Sequence, residues 1–198
     1  MMFTYDRRNR LFRLLSAAIL IAALETVAIG AMIEHRARIL RSGADVLLKT
    51  TAVDPRDLLR GDYVLLNYGI SVIPEEKLVG ERPSTPERLP LNVRLTAGAD
   101  GFYQVEEASF ETLPVRSGSV ILQTEPFDFI PTMLTAGGVL HVRYGIERYY
   151  LPEGEGKEIE AARNAGDVTV DVRVSSGGQP QIRQLRLGGK PLHSEPLY

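Results

Sequence analysis

Cysteine and tryptophan are absent from this sequence, and histidine occurs only three times. Without cysteine, the chain has no disulfide, no thiol nucleophile and no thiolate ligand for a metal ion. The three histidines, His35, His141 and His193, stand far apart, and no two of them have the spacing of a metal-binding pair. We therefore expect no metal site and no cofactor.

Sequence motifs for catalysis are missing as well. The Gly-x-Ser-x-Gly motif of serine hydrolases does not occur, and there is no phosphate-binding glycine loop. The sequence therefore assigns no catalytic residue.

The net charge of the chain is small, at −2, but the charge is unevenly distributed. Residues 1–41 carry seven arginines and three acidic residues, a net charge of +4. The rest of the chain carries 16 basic and 22 acidic residues, a net charge of −6. A basic start before an apolar stretch, followed by a mildly acidic domain, indicates a membrane protein. This distribution argues against nucleic-acid binding, which needs a basic face.

The long apolar stretch covers residues 14–33, which are 20 residues with a single charge. That length matches the hydrocarbon thickness of a bilayer. Four arginines between positions 7 and 13 precede it and three between 36 and 41 follow it, so the charge bias favours a cytoplasmic N-terminus. A cleaved signal peptide is the alternative, but the stretch ends in Met-Ile-Glu-His-Arg, which lacks a small-x-small cleavage site. We expect an uncleaved, single-pass anchor that ends near Gly43.

Glu25 lies near the middle of this apolar stretch. A carboxylate at that depth costs about 2.5–3.5 kcal/mol even on insertion scales. One interpretation is that Glu25 meets a polar group on a partner helix, and small residues along the stretch would let such a helix approach closely. The other is that a long apolar helix tolerates a protonated glutamate.

The soluble part is organised around residues 61–70, Gly-Asp-Tyr-Val-Leu-Leu-Asn-Tyr-Gly-Ile, which predict a turn followed by a buried strand. The same pattern returns about 76 residues later, where Tyr144-Gly-Ile146 repeats Tyr68-Gly-Ile70. Further matches keep the same order along the chain: Gly61 with Gly137, residues 46–50 with 120–124, and residues 91–95 with 170–174. We interpret this as an internal duplication.

The predicted fold is therefore mainly β, either a β-sandwich or a pair of barrel-like units, with an N-terminal transmembrane helix and one or two short helices. Short helices are predicted within residues 54–60 and 158–163. The predicted division is into the tail, anchor and helix extension at residues 1–41, a first repeat unit at 42–118 and a second at 119–198.

Acidic, basic and tyrosine side chains cluster around both copies of the motif and form the predicted binding residues. They are Asp54, Arg56, Asp57, Asp62, Tyr63 and Tyr68 at the first copy, and Arg143, Tyr144, Glu147, Tyr149, Tyr150 and Glu153 at the second.

Two interpretations of these residues stay open. They could form an anion or carbohydrate site, and in a glycan hydrolase Glu147, Glu153 or Asp62 would serve as the acid or base, since such enzymes place two carboxyl groups across one sugar. Alternatively, the acidic residues and arginines hold loops and the tyrosines fill a face of the sheet. Whether Asp62 and Glu147 reach one pocket would distinguish the two.

The chain resembles the GDYXXLXY protein family, named after the motif that Gly61-Asp62-Tyr63, Leu66 and Tyr68 match here. The resemblance extends over residues 14–190. It implies a bacterial single-span protein with an extracytoplasmic domain, encoded beside multi-span membrane proteins. It supplies no catalytic residues to carry over.

From these observations we expect an accessory protein of the inner membrane, with a cytoplasmic N-terminus and a periplasmic C-terminal domain. Its expected partners are the lipid bilayer and a multi-span membrane protein, or the cell envelope, and no nucleic acid. The sequence leaves the oligomeric state open.

Overall fold

The computed structural model describes residues 4–51, 63–133, 137–150 and 168–194. It consists of one long N-terminal helix and many antiparallel strands in several small sheets, so the predicted mainly β class with an N-terminal helix is confirmed. The chain separates into two compact units, Met1–Arg38 and Ile39–Tyr198. The short helices predicted within residues 54–60 and 158–163 lie outside the described residues.

The helix α1 runs from Thr4 to Ser42. Within it, the segment Asn9–Ser42 has a mean hydropathy of 2.1 in its most apolar window, which is long and apolar enough to cross a membrane. The helix ends at Ser42, next to Gly43, where the sequence predicts its end. The Gly43 N–H donates to the Ile39 carbonyl (2.8 Å). A side chain at position 43 would stand 2.6 Å from that same carbonyl oxygen, so the close turn requires glycine.

The described residues form the following strands, numbered in chain order: β1 Ala44–Thr51, β2 Tyr63–Leu65, β3 Asn67–Tyr68, β4 Val72–Pro74, β5 Glu87–Leu89, β6 Asn92–Ala97, β7 Tyr103–Ser109, β8 Ser119–Gln123, β9 Phe127–Phe129, β10 Val139–His141, β11 Arg148–Tyr150, β12 Val168–Val174, β13 Pro180–Leu187 and β14 Lys190–Ser194. Three short 3₁₀ turns are interspersed, at Gly69–Ser71, Glu75–Lys77 and Pro131–Met133.

Two sheets carry most of the pairing. One has the strand order β14-β13-β12-β1-β3 and the other β7-β6-β8, while β4 pairs with β10, β2 with β11 and β5 with β9. The strand β12 shows why these residues form a sheet. Its valines at 168, 170, 172 and 174 are all buried and alternate with half-buried polar residues, which is the period of a strand with one face on the core.

The pairings repeat along the chain. Antiparallel β1 and β12 place Leu48 opposite Val170, and antiparallel β8 and β6 place Leu122 opposite Val93. The small pairs repeat as well. Strand β11 follows β4 by 76 residues and β10 follows β2 by the same number, and the pairs β4–β10 and β11–β2 have the same register. Even the irregularity in β6–β7, after Arg94, has a counterpart in β12–β13, after Asp171.

This repetition aligns residues 91–95 with 168–172, two residues before the match that the sequence predicts. It also mixes the two halves of the chain, because β1 completes a sheet with β12 and β13, and β8 completes a sheet with β6 and β7. The division into repeat units at residues 42–118 and 119–198 stays a prediction, and both predicted units supply strands to each of the two larger sheets.

The core holds one charged group that is fully buried, Arg94. Its guanidinium donates to the Glu107 carboxylate (2.7 Å), to the Ser119 hydroxyl (2.8 Å) and to the Pro114 carbonyl. The charge is therefore paired and hydrogen-bonded, the condition under which a buried ion is tolerated.

Candidate functional site

The two Tyr-Gly-Ile segments lie side by side and hold each other in place. The Tyr68 hydroxyl donates to the Ile146 carbonyl (2.7 Å), and the Tyr144 hydroxyl donates to the Ile70 carbonyl (2.8 Å). Because Tyr144 follows Tyr68 by 76 residues and Ile146 follows Ile70 by the same number, these are one contact made twice.

Two backbone hydrogen bonds surround this contact in the same reciprocal way. The Leu66 N–H donates to the Glu147 carbonyl (2.8 Å), and the Val142 N–H donates to the Ser71 carbonyl (2.9 Å). We call the four hydrogen bonds together the tyrosine clasp. It explains why both copies need tyrosine at this position: the ring fills the core and the hydroxyl reaches a carbonyl of the opposite copy.

Glu147 departs from the symmetry of the clasp. One of its carboxylate oxygens accepts the Tyr144 N–H (2.6 Å) and the other accepts the Gly145 N–H (2.9 Å). Both oxygens are thus engaged in closing the turn. The equivalent position in the first copy is Ser71, which has no carboxylate.

The clasp changes the acidity of its tyrosines. Burial raises the pKa of Tyr68 well above its ordinary value, and the nearby negative charge of Glu147 raises it further. The same two causes, in the same order, raise the pKa of Tyr144 strongly. Both hydroxyls are therefore held in the protonated, donating form, which suits a structural hydrogen bond.

The other predicted binding residues of the second copy lie at different depths. Tyr149 is buried in the core, whereas the Tyr150 side chain is 66% exposed. Arg143 is exposed and forms an ion pair with Glu125 (3.3 Å). These residues do not converge on a single cavity among the residues that the structure describes.

Most predicted residues of the first copy, and one of the second, lie outside the described residues: Asp54, Arg56, Asp57, Asp62 and Glu153. The backbone of Tyr63 is described and pairs with Tyr150 in the β2–β11 register. Whether Asp62 and Glu147 share a pocket, and whether the predicted residues bind a ligand, stays a prediction.

Besides the tyrosine clasp, the surface of helix α1 is a second candidate site. Residues 9–36 are exposed throughout, and most of them are apolar. The hydroxyls inside this stretch are satisfied by the helix itself, because Ser16 donates to the Phe12 carbonyl (2.9 Å) and Thr26 to the Ala22 carbonyl (2.8 Å). Glu25 is exposed and forms no ion pair with any described residue. Within the apolar residues 14–33 it is therefore the charged group that forms no ion pair with a described residue.

Helical geometry places small residues beside Glu25. Ala18, Ala22 and Ala28 lie seven residues before, three before and three after it, so they share its face of the helix. This face combines close backbone access with one strong hydrogen-bond acceptor.

No metal centre is formed by the described ranges, because no three histidine, aspartate or glutamate side chains in them come together as ligands.

Comparison with protein families gives one match, to a family model described as GDYXXLXY protein, over residues 25–185. The match begins inside the apolar helix and ends in β13, so it includes both Tyr-Gly-Ile segments that form the tyrosine clasp. Comparisons with curated proteins and with solved structures gave no match.

Proposed function

This chain belongs to the GDYXXLXY protein family, and from that membership and its apolar helix we propose that it is an accessory subunit of a membrane complex. In this proposal α1 anchors the protein in the inner membrane and packs against a helix of a multi-span partner. The β domain then stands on the periplasmic side, where its surface binds the same partner or the cell envelope.

The observation that carries the proposal is Glu25, an exposed carboxyl group in the middle of an apolar helix. In a bilayer, a charged side chain at that depth costs about 2.5–3.5 kcal/mol unless it has a partner. A polar group on a second helix removes that cost and also fixes the rotation of α1 about its axis. The alanines on the same face allow the two backbones to come close.

Arginine placement supports the proposed orientation. Four arginines lie between positions 7 and 13, before the apolar stretch, and three lie between 36 and 41, after it. The excess is small, but it favours retention of the N-terminus in the cytoplasm.

The absence of cysteine allows a direct test of the orientation. Single cysteines at Asn9 and at the exposed Ser84 are labelled in intact cells with a maleimide that does not cross membranes. We expect labelling of Ser84→Cys after permeabilisation of the outer membrane only, and labelling of Asn9→Cys only after lysis of the inner membrane. The opposite pattern would place the β domain in the cytoplasm and refute the proposed location.

The partner is tested by purification of the full chain in a mild detergent, with mass spectrometry of the multi-span proteins that co-elute. We expect Glu25→Leu to reduce the recovered partner by about tenfold, because it removes a polar contact worth roughly 1–2 kcal/mol between helices in lipid. The matched control is Glu34→Leu, which makes the same substitution in the same helix just beyond the apolar stretch. If the protein elutes alone, or if both variants retain the partner equally, Glu25 is not the contact.

A further inference from the structure

A half-open groove lies between the start of β7, strand β1 and the first Tyr-Gly-Ile turn, with a volume of about 380 Å³. Its apolar lining includes the exposed Val72 and the half-buried Pro74 and Val105, while the buried Leu48 and Ile70 contribute little accessible surface. Cavities of this size are at the lower end of the range used for small-molecule ligands.

Two lysines line the same groove, Lys49 from β1 and Lys77 from the 3₁₀ turn after β4. Neither forms an ion pair with any residue in the described ranges. Lys49 instead lies over the Phe102 ring, with its Nζ 5.9 Å from the ring centroid. The one acidic residue at the groove, Asp100, accepts the Phe102 N–H in its own turn (3.2 Å). The groove therefore joins an apolar lining to two lysines and one aspartate, an excess of positive charge.

Comparison of the two halves of the domain shows that the groove belongs to one of them alone. Gly69 and Gly145 are equivalent in sequence, but Gly145 has a φ of 79° and Gly69 does not have a positive φ, so their backbones differ. A side chain at Gly69 would meet no described atom within 4 Å, whereas at Gly145 it would be in ordinary contact with a Glu125 carboxylate oxygen at 3.4 Å.

A second pair of equivalent positions shows the same difference. Gly101 and Gly178 have nearly equal φ angles, 81° and 82°. A side chain at Gly101 would meet no described atom within 4 Å, but at Gly178 it would stand 3.1 Å from the Gln123 backbone nitrogen. The Gln123 N–H also donates to the Gly178 carbonyl (2.8 Å), which closes this side. Gln123 moreover stands where the first half has Lys49, so this lysine has no counterpart on the closed side.

We propose that this groove binds a free amphipathic anion with a single aliphatic chain. The chain lies on Val72, Pro74 and Val105, and the carboxylate or phosphate head group lies at Lys49 and Lys77. Apolar burial supplies the affinity and the two lysines supply the preference for negative charge, since an ammonium is a point charge that accepts either head group. This inference does not depend on the helix partner proposed above.

Binding is measured on the full chain in phosphatidylcholine nanodiscs, with octanoate as the probe. The chain has no tryptophan, so Tyr103→Trp, at the half-buried groove residue Tyr103, introduces a single indole whose emission reports on the groove alone. We expect a saturable change in that emission with octanoate and at least a tenfold weaker response to octanamide, which has the same shape without the charge.

Three variants in this background locate the site. Gly69→Leu fills the open space without backbone strain and is expected to abolish the response, and a melting temperature close to that of the parent shows that it folds. Lys49→Gln and Lys77→Gln are each expected to weaken octanoate binding about threefold, the size of a partly solvated ion pair. Lys190→Gln, at an exposed lysine of β14, is the matched control and should bind like the parent.

Three results would overturn the proposal: no saturable response to octanoate, an equal response to octanamide, or unchanged binding in Gly69→Leu. A fourth concerns the source of the anion. If nanodiscs that contain phosphatidylglycerol produce the emission change without octanoate, and octanoate then adds nothing, the occupant is a membrane lipid and not a free amphiphile. None of these results would bear on the Glu25 experiment, because the groove and the helix face share no residue.

Discussion

The tyrosine clasp predicts how the stability of the domain responds to alkaline pH. Tyr68 and Tyr144 have raised pKa values in the folded protein, because of burial first and of Glu147 second. In the unfolded chain tyrosine ionises near pH 10. Above that pH the unfolded chain releases protons that the folded protein retains, so the free energy of unfolding falls as the pH rises. Their stabilising effect is fully present below pH 10 and is lost above it.

The size of this loss follows from linkage. Each tyrosine that stays protonated in the folded state removes about 1.4 kcal/mol of stability per pH unit above 10. By pH 12 the two together remove about 5 kcal/mol, which is comparable with the whole stability of a marginal domain. Raising the pH from 10 to 12 should therefore unfold the protein or bring it close to unfolding.

A single substitution, Tyr68→Phe, makes the prediction specific. At neutral pH it removes one buried hydrogen bond to the Ile146 carbonyl and costs about 1–2 kcal/mol. At pH 12 it also avoids an alkaline loss on the order of 3 kcal/mol, because phenylalanine does not ionise. The variant should thus be less stable than the parent at pH 7 and more stable at pH 12.

Urea unfolding of the full chain in detergent, monitored by circular dichroism at a series of pH values, measures both the loss of stability at pH 7 and the gain at pH 12. Tyrosinate absorbance provides a second readout that tryptophan does not obscure, since the chain contains eight tyrosines and no tryptophan. The matched variant is Tyr150→Phe, which removes a phenol of a residue that is 66% exposed and should show no gain in stability over the parent between pH 7 and pH 12. If Tyr68→Phe stays below the parent by a constant amount up to pH 12, the clasp tyrosine is not protected from ionisation and the reasoning is refuted.

Two further predictions concern stability. Arg94→Met should cost about 3–5 kcal/mol in urea unfolding, because it leaves the Glu107 carboxylate partly buried without its main partner; a cost below 1 kcal/mol would mean that the buried pair is dispensable. Gly101→Ala and Gly178→Ala place an alanine at nearly the same positive φ, and this strain alone should lower the stability by about 1–2 kcal/mol in each variant. Gly178→Ala should cost roughly 1–3 kcal/mol in addition, because its side chain crowds Gln123. Equal costs in the two alanine variants would contradict the difference between the two halves.

The repeated pairings bear on how the domain is assembled. Each of the two larger sheets contains strands from both halves of the chain, and the clasp joins the two copies of the motif directly. The features that differ between the halves are therefore the ones that the repeat does not explain. They include the two lysines and open glycines of the first half and the carboxylates of Glu125 and Glu147 in the second.

Several features follow from the sequence by itself, because they depend on local physics. A run of 20 residues with one charge specifies a helix that can span a bilayer, and Gly43 specifies where it ends. Strict alternation specifies β12 as a strand with one buried face. The repeated Tyr-Gly-Ile indicates two equivalent structural units, and the motif of residues 61–68 identifies the family.

Only the tertiary structure decided which strands pair and what the polar residues do. Strand β1 pairs with β12, more than 100 residues away, and the register of such a pair depends on the packing of the whole core. Glu147, which has the residue type of a catalytic acid, closes a turn because two backbone N–H groups happen to point at its oxygens. The groove between Lys49 and Lys77 has no sequence signature at all, because it is formed by residues from three separate segments and by side chains that are absent at Gly69 and Gly101. Local interactions determine the elements of this protein, and the long-range packing of its two unequal halves determines where it can bind.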